Sequence, residues 1–168
     1  MSYNGRHRLH YHCEHCITVT IMRTIGVHRQ RLNANGSIAE EWTEDDEGQK
    51  HGTCTTYHDN GVVESQCEYE HGWVHGLFRG FYRTGQLRTE HRFEYYELHG
   101  EACEWHENGQ RRSQSFYHNG QRIGIWSMWH ANGVKANETD WNARPVIVRG
   151  WNSHGEEYIV GERLAPLE

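Results

Sequence analysis

The sequence predicts an all-β protein, an elongated antiparallel β-meander in which 24-residue hairpins repeat within a single sheet. Three observations support this fold class. Two glycine series and two aromatic columns each recur every 24 residues, and only 35% of the 168 residues are apolar, where about 45–50% is usual. So few apolar residues cannot fill a bulky core. We therefore expect a thin sheet whose buried surface comes from Trp, Tyr and Phe side chains.

The two glycine series mark where the chain should turn. The first series closes four x-Gly pairs and comprises Gly52, Gly76, Gly100 and Gly124. The second series comprises Gly61, Gly85, Gly109 and Gly133. Three members of the second series follow Asn, and Asn-Gly between short runs signals a hairpin because both residues tolerate positive φ. We expect hairpin turns at the second series, x-Gly pairs that turn the chain into the next hairpin, and about ten to twelve strands.

Both aromatic columns keep the register of the glycines. The first column comprises Tyr57, Phe81, Trp105 and Trp129, with Trp151 in a looser terminal copy. The second column comprises Tyr69, Phe93, Tyr117 and Trp141. Because every full copy carries an aromatic residue at these positions, we interpret both columns as structural. Truncation of Trp105 or Trp129 to Ala is then expected to cost about 3–5 kcal/mol, as for other buried large aromatics.

The length of the Asn-Gly loop decides which aromatics share a face. With a two-residue loop at Asn108-Gly109, Trp105 would pair with Arg112, and Tyr117 would lie on the other face. With a three-residue loop closed by a glycine bulge, Trp105 would pair with Arg111 and share its face with Tyr117. We favour the bulged loop, because a single curved sheet needs one face to bury its aromatics.

The repeat pattern also divides the chain. It loosens at both ends, where Gly36 and Gly155 continue the second glycine series at spacings of 25 and 22 residues. Atypical terminal units are expected of a repeat array, since each end must cover an open stack. We interpret residues 1–31 as a His- and Cys-rich capping hairpin, residues 32–155 as the hairpin array and residues 156–168 as a C-terminal cap or tail.

Composition excludes several classes of protein. The formal charge of −6 disfavours nucleic-acid binding driven by phosphate contacts. The longest mostly apolar stretch, residues 17–22, is far shorter than the roughly 20 residues of a membrane span, so membrane insertion is not expected. Five cysteines without a signal segment indicate a reducing compartment. We expect a protein of the cytoplasm or of a virion, not one secreted through a signal peptide.

Histidines supply the candidate binding residues. Full protonation of the 15 histidines would change the formal charge from −6 to +9, so electrostatic partnerships should depend on pH between about 5 and 7. A row one hairpin apart follows the first aromatic column and comprises His58, Tyr82, His106 and His130. This row could bind an acidic ligand or sense pH, although His is also tolerated as an exposed strand residue. Arg111 and Arg112, beside the turn at Gly109, join it as binding candidates.

The chain has one local metal motif, near its N-terminus. Cys13-x-x-Cys16 has the spacing of half a zinc site, and a closed tetrahedral site needs two further ligands. The candidate ligands are His10, His12, Cys13, His15 and Cys16. Because no second ligand pair with zinc spacing follows, a solvated polar strand is the favoured interpretation and zinc the alternative. No other cofactor is expected.

No catalytic constellation is recognisable, so we expect a protein that is not an enzyme. Cys54, Cys67 and Cys103 occupy different repeat positions and lack a surrounding nucleophile signature. The acidic run at 40–47 is typical of a solvated loop; a Ca²⁺ site is the alternative, without the spacing of a helix-loop-helix calcium motif.

The repeat unit, Gly-x4-aromatic-x2-Asn-Gly-x7-aromatic, resembles the MORN (membrane occupation and recognition nexus) repeat. It is most similar to the bacterial-type variant of antitoxin-like proteins and of large DNA viruses, and residues 100–117 and 124–141 carry the resemblance best. This resemblance implies a binding platform. We expect a protein-binding scaffold or structural adaptor in a larger assembly; the alternative is an antitoxin or immunity-type inhibitor that blocks a toxic enzyme, whose basic surface the charge of −6 would suit.

Overall fold

The computed structural model of the chain describes residues 8–9, 21–22, 26–143 and 146–163. Within these ranges the backbone forms strands and turns but no helix. The strands described are β1 (Arg8–Leu9), β2 (Ile21–Met22), β3 (Val27–Leu32), β4 (Ile38–Glu44), β5 (Gly52–Tyr57), β6 (Val63–Glu70), β7 (Trp73–Phe81), β8 (Leu87–Glu94), β9 (Glu97–Trp105), β10 (Arg111–His118), β11 (Gln121–Trp129), β12 (Lys135–Asp140), β13 (Val146–Trp151) and β14 (Glu157–Arg163).

Strands β3 to β14 form one open antiparallel sheet of 12 strands in which each strand pairs with its neighbours in sequence. Strands β1 and β2 pair separately. The all-β meander predicted from the sequence is therefore confirmed, including its number of strands. In the described residues, no helix is long and apolar enough to cross a membrane.

One edge of the sheet carries the same turn in every hairpin. At Gly109, the Gly109 amide donates to the His106 carbonyl at 2.8 Å and the His106 amide donates to the Gln110 carbonyl at 2.8 Å, while Gly109 has a φ of 83°. The same pair of hydrogen bonds closes the turns at Gly36, Gly61, Gly85, Gly133 and Gly155. These are three-residue loops with a glycine bulge, as predicted. We call the row of strand ends that carries these loops the repeated edge; the term does not refer to the outer strands of the sheet.

The turns on the opposite side, which we call the variable edge, differ from hairpin to hairpin in length and in the residues they contain. Two-residue turns at His71-Gly72, Tyr95-Tyr96 and Asn119-Gly120 have positive φ at both positions, as a type I′ turn requires. A three-residue loop starting at Asp45 joins β4 to β5 and is closed by the same pair of hydrogen bonds as the turns of the repeated edge: the Gly48 amide donates to the Asp45 carbonyl at 3.1 Å, and the Asp45 amide donates to the Gln49 carbonyl at 2.8 Å.

The expectation that the x-Gly pairs turn the chain was wrong. Gly100 lies inside β9 with a φ of 83°, between the facing pairs Phe93–Leu98 and His91–Ala102. Three residues of β9 there oppose one residue of β8, so the glycine makes a bulge. Gly76 and Gly124 lie within β7 and β11 in the same way. A glycine with positive φ suits a bulge as well as a turn, which is why the sequence misled here.

The two aromatic columns lie on opposite faces of the sheet. Trp105 pairs with Arg111, as predicted for the bulged loop, but the next pair is Glu104 with Ser113. Two residues of β10 therefore oppose Trp105, and this second bulge restores the register. Facing partners point to the same side and neighbours point to opposite sides, so Tyr117, on the side of Ser113, lies on the opposite face from Trp105. The expectation of a shared face was wrong because of this bulge.

Burial is accordingly thin on both faces. The buried apolar residues are small or medium in size: Ala39, Cys54, Ala102, Cys103 and Val146. The buried polar residues are all hydroxyl residues: Thr55, Thr89, Ser113, Ser115, Ser127 and Thr139. Trp105 and Trp129 are only half-buried. In this single layer, small side chains are the buried ones, and the large aromatics of both columns stay partly exposed.

Candidate protein-binding surface

The predicted row of His58, Tyr82, His106 and His130 forms hydrogen bonds between successive repeats. His106 Nε2 donates to the Trp129 carbonyl at 2.8 Å, and Tyr82 Oη donates to the Trp105 carbonyl at 2.7 Å. His58 and His130 donate in the same way to Phe81 and Trp151 at 3.1 and 3.0 Å. Each row residue thus satisfies a carbonyl of the first aromatic column one repeat later. We call this set the ladder.

Asn side chains add further hydrogen bonds between successive turns of the repeated edge. Asn108 Nδ2 donates to the Ala131 carbonyl at 2.6 Å, while its Oδ1 accepts from the Gln110 amide within its own turn at 3.1 Å. Asn60 and Asn132 make equivalent bonds to the next turn. The asparagines therefore shape one turn and attach it to its neighbour. The repeated edge is hydrogen-bonded to itself along most of its length.

These contacts limit what the predicted binding residues can offer a ligand. The side chain of His58 is only 11% exposed, and its Nε2 is already engaged. Arg111 and Arg112 are exposed beside the turn at Gly109, with Arg112 3.8 Å from the Glu104 carboxylate. The structure brings the ladder residues into one row and leaves the two arginines as the accessible groups next to it.

The variable edge carries an exposed aromatic patch that sequence reasoning missed. Trp73, Tyr95 and Tyr96 are 52%, 64% and 52% exposed. The rings of Trp73 and Tyr96 meet edge to face with centroids 5.2 Å apart, and the Tyr95 ring lies 5.0 Å from that of His75. Tyr96 Oη donates to the Gly72 carbonyl at 2.7 Å, which holds its ring against the preceding turn. Large rings held in place yet open to solvent are typical of protein contacts.

The backbone beneath the patch is strained. Tyr95 and Tyr96 have φ values of 46° and 69°, a region that bulky side chains rarely adopt. The neighbouring turns use His71-Gly72 and Asn119-Gly120, with a glycine at the second position. The signal available in the sequence was this Tyr-Tyr pair at the register of Asn119-Gly120. It passed unnoticed because consecutive tyrosines are also ordinary strand residues.

The three thiols in the described part of the chain are poor candidates for catalysis. Burial raises the pKa of Cys67 and of Cys103 to about 11, and a hydrogen bond to Glu101 adds to the effect at Cys103. Burial likewise raises the pKa of Cys54, which faces Cys67 across β5 and β6. Thiols with raised pKa values stay protonated near neutral pH and are weak nucleophiles.

The acidic run at 40–47 divides between strand and turn. Glu40 receives Lys50 Nζ at 2.5 Å, and that hydrogen bond lowers the pKa of Glu40. Asp45 starts the turn and lies within reach of two imidazoles, His51 and His71. The acidic residues of β4 are therefore paired, and only the turn retains the solvated character expected of the whole run. The predicted zinc ligands between His10 and Cys16 lie outside the described residues.

Comparison with known families identifies the repeat. Residues 50–71, 74–97 and 98–121 match a model described as "MORN repeat variant", so this part of the chain consists of three consecutive MORN repeats. Such repeats generally mediate protein or membrane interactions and are generally non-catalytic. No curated protein matches the chain. A crystal structure of a protein with unknown function from Bacteroides fragilis is 9% identical, with 86% of this chain and 94% of that chain covered and a TM-score of 0.22.

Proposed function

We propose that this protein with MORN repeats is a non-catalytic scaffold or adaptor that binds a partner protein through the aromatic patch of its variable edge. The observation that carries the proposal is the patch itself: three rings, each at least half exposed, packed around a strained turn. Backbone strain of this kind costs about 1–3 kcal/mol and persists mainly where a site requires it. A turn of Asn and Gly would be less strained but would present no rings.

The two edges differ in what they have left to offer. The ladder and the asparagines use their donors on the next repeat, so the repeated edge serves as the frame. The patch uses one hydroxyl, that of Tyr96, and exposes its ring surfaces. Trp and Tyr are enriched among the residues that dominate binding energies at protein interfaces. A partner that covers the patch would remove from water an apolar surface that now faces it.

Site-specific photo-crosslinking tests this proposal directly. A photoreactive phenylalanine analogue is placed at Tyr95 in the full chain, and in a matched control at Tyr158, which is 53% exposed on β14. We expect one partner to crosslink at position 95 and not at position 158. The Tyr95→Asn/Tyr96→Gly chain, which keeps a two-residue turn, should fail to capture the same partner. Equal crosslinking at both positions, or capture unaffected by the double substitution, would refute the patch as the binding surface.

A second function, inhibition of a toxic enzyme, is favoured by charge. The net charge of −6 and the acidic turn with Asp45, Asp46 and Glu47 would suit a basic target such as a nuclease. Coexpression with the product of the neighbouring gene tests this alternative. Growth rescued by the wild-type chain but not by Asp46→Asn/Glu47→Gln would support inhibition, and a neighbouring gene that is harmless on its own would count against it.

A further inference from the structure

The start of the array brings together two imidazoles and a carboxylate that no other described part of the chain matches. One ligand atom from each of Asp45, His51 and His71 lies within 4.8 Å of the other two. His71 Nδ1 is 2.8 Å from Asp45 Oδ2, and the rings of His51 and His71 have centroids 4.8 Å apart. We propose that this three-ligand cluster binds a divalent transition metal, with Zn²⁺ as the test ion.

The turn at Asp45 prepares its carboxylate for this role. Oδ1 accepts the backbone amides of Glu47 and Gln49 at 3.0 and 2.9 Å, which fixes the direction of the side chain and leaves Oδ2 facing His71. The Asp45 side chain is 11% exposed and that of His71 is 62% exposed, so a fixed carboxylate faces an imidazole that is open to solvent.

The distances fit a metal after small rotations. Tetrahedral bonds of about 2.0–2.1 Å place ligand atoms about 3.3–3.4 Å apart. The pair formed by Asp45 and His71 would open slightly from 2.8 Å, and the imidazole of His51, which is exposed, would close from within 4.8 Å. Both histidine side chains are open to solvent, and rotation of the His51 ring gives up the 3.4 Å hydrogen bond that its Nδ1 accepts from the His71 amide. The backbone need not move.

The donor set and its surroundings select the class of ion. Two imidazoles with one carboxylate suit Zn²⁺, Ni²⁺ or Cu²⁺, whereas Ca²⁺ and Mg²⁺ prefer oxygen ligands alone. A cleft of about 570 Å³ adjoins the cluster, and Asp46 and Glu47 line it. These carboxylates add negative charge next to the ligands, and the cleft leaves room for water at a fourth coordination position. A metal there would join the turn after β4 to the turn after β6.

The next repeats have lost the ligands at the same register. Twenty-four residues after His51 and His71 stand His75 and Tyr95, whose rings also pack together at 5.0 Å but offer one imidazole. Elsewhere in the described residues His99 pairs with His118 at 4.9 Å, and Glu94 lies 3.5 Å from His99, but these three residues do not place a ligand atom each within 4.8 Å of the other two. Among the described residues, the His99–His118 pair is thus a natural control for two neighbouring imidazoles without a third ligand in common reach.

Calorimetric titration of the full chain with ZnCl2 tests the proposal. The N-terminal candidate ligands are first removed by the substitutions His10→Ala, His12→Ala, Cys13→Ser, His15→Ala and Cys16→Ser. This full-length background should still bind Zn²⁺ with a Kd of about 10 μM or lower. His71→Asn, which makes an Asn-Gly turn like that at 119–120, and Asp45→Asn, which keeps the turn acceptor, should each weaken binding at least about tenfold. The control His118→Asn should not change it.

The outcomes that overturn the proposal are equally definite. A background chain that takes up no Zn²⁺ in this range, or equal affinities for the His71→Asn and His118→Asn chains, would exclude the cluster. Imidazole nitrogen NMR of the unsubstituted full chain gives a readout that does not rely on a variant folding. Zn²⁺ should shift the ring nitrogens of His51 and His71, and unchanged resonances for both would also exclude it.

Discussion

The two edges of the sheet follow opposite rules. On the repeated edge, turn after turn has the same loop length and the same glycine bulge, and most turns donate side-chain hydrogen bonds to the next repeat. On the variable edge, successive turns present a carboxylate with two imidazoles, then three aromatic rings, then an Asn-Gly turn. Both edges belong to the same strands, so their difference cannot come from the fold. It indicates that one edge maintains the array while the other carries its chemistry.

The difference between the two edges also explains why the predicted row of His58, Tyr82, His106 and His130 forms contacts within the array and not an open binding site. His58 and His106 attracted attention because they recur, yet recurrence within one chain reflects what every repeat needs in order to stack on the next. A site for one particular partner or ion is needed once. The patch and the three-ligand cluster each occur in a single repeat, at positions where the neighbouring repeats have other residues.

The largest expected effect is a loss of stability when an aromatic residue beside the repeated edge is truncated. Trp105→Ala should lower the free energy of unfolding by about 2–3 kcal/mol, less than the about 3–5 kcal/mol of a fully buried aromatic because Trp105 is half-buried. Trp73→Ala, which removes a Trp that is 52% exposed, should cost less than about 1 kcal/mol. Urea denaturation followed by circular dichroism measures both. Equal losses would erase the distinction between frame and patch.

A smaller loss is expected from the ladder. His106→Ala leaves the Trp129 carbonyl without its side-chain donor, and an unsatisfied, partly buried polar group costs about 1–2 kcal/mol. His118→Ala, at an exposed position of β10, should change stability by less than about 0.5 kcal/mol. Thermal unfolding of the two variants under identical conditions makes the comparison. A His106→Ala chain as stable as the His118→Ala chain would show that the ladder does not support the array.

The strained turn should respond with the opposite sign. Tyr95→Asn/Tyr96→Gly relieves two unfavourable φ values at the loss of one hydrogen bond to Gly72. Strain relief of about 1–3 kcal/mol is partly offset by that bond and by the flexibility of glycine, so stability should stay level or rise by up to about 1 kcal/mol. Denaturant midpoints provide the measurement. A loss above about 1 kcal/mol would mean that the tyrosines serve stability.

The smallest expected effect separates a half-buried histidine, His91, from the exposed His118 at the variable edge. Burial lowers the pKa of His91, whose Nε2 lies 2.7 Å from Thr89 Oγ1. The unfolded chain, with a pKa near about 6.5, binds a proton that the folded chain does not, so stability should fall as pH decreases from about 6.5 through the folded pKa. His91→Gln should reduce this slope, whereas His118→Gln should leave it unchanged. Equal slopes for both variants would remove His91 from the explanation.

Much of the frame was predictable from the sequence, because period and turn chemistry are local. Asn108-Gly109 indicated the loop, and the 24-residue interval indicated the register of the columns. The bulge opposite Trp105 was not predictable, since Arg111 and Arg112 carry no bulge signature. The x-Gly pairs were assigned to turns, whereas Gly76, Gly100 and Gly124 lie in bulges with positive φ.

The candidate sites were less accessible to sequence reasoning. Asp45, His51 and His71 lie up to 26 residues apart and meet only because two turns fall at the same edge of the sheet. The patch combines Trp73 with Tyr95 and Tyr96. Consecutive tyrosines are typical of a strand, so this pair does not indicate a turn unless the turn position is already known. Each site depends on which residues fall in the turns. Those residues can be identified only once the strand register of the whole sheet is known.

Strict pairing between sequence neighbours has a mechanical consequence. The chain enters the large sheet at β3 on one side and leaves it at β14 on the other, so a force applied at these strands acts along the direction of the hydrogen bonds. Under such loading the backbone hydrogen bonds between two strands break one after another. In shear they would break all together. Peeling would begin at an end strand, and every hairpin released would lengthen the chain by about the same contour increment. A protein built in this way yields gradually under tension and can recover one repeat at a time.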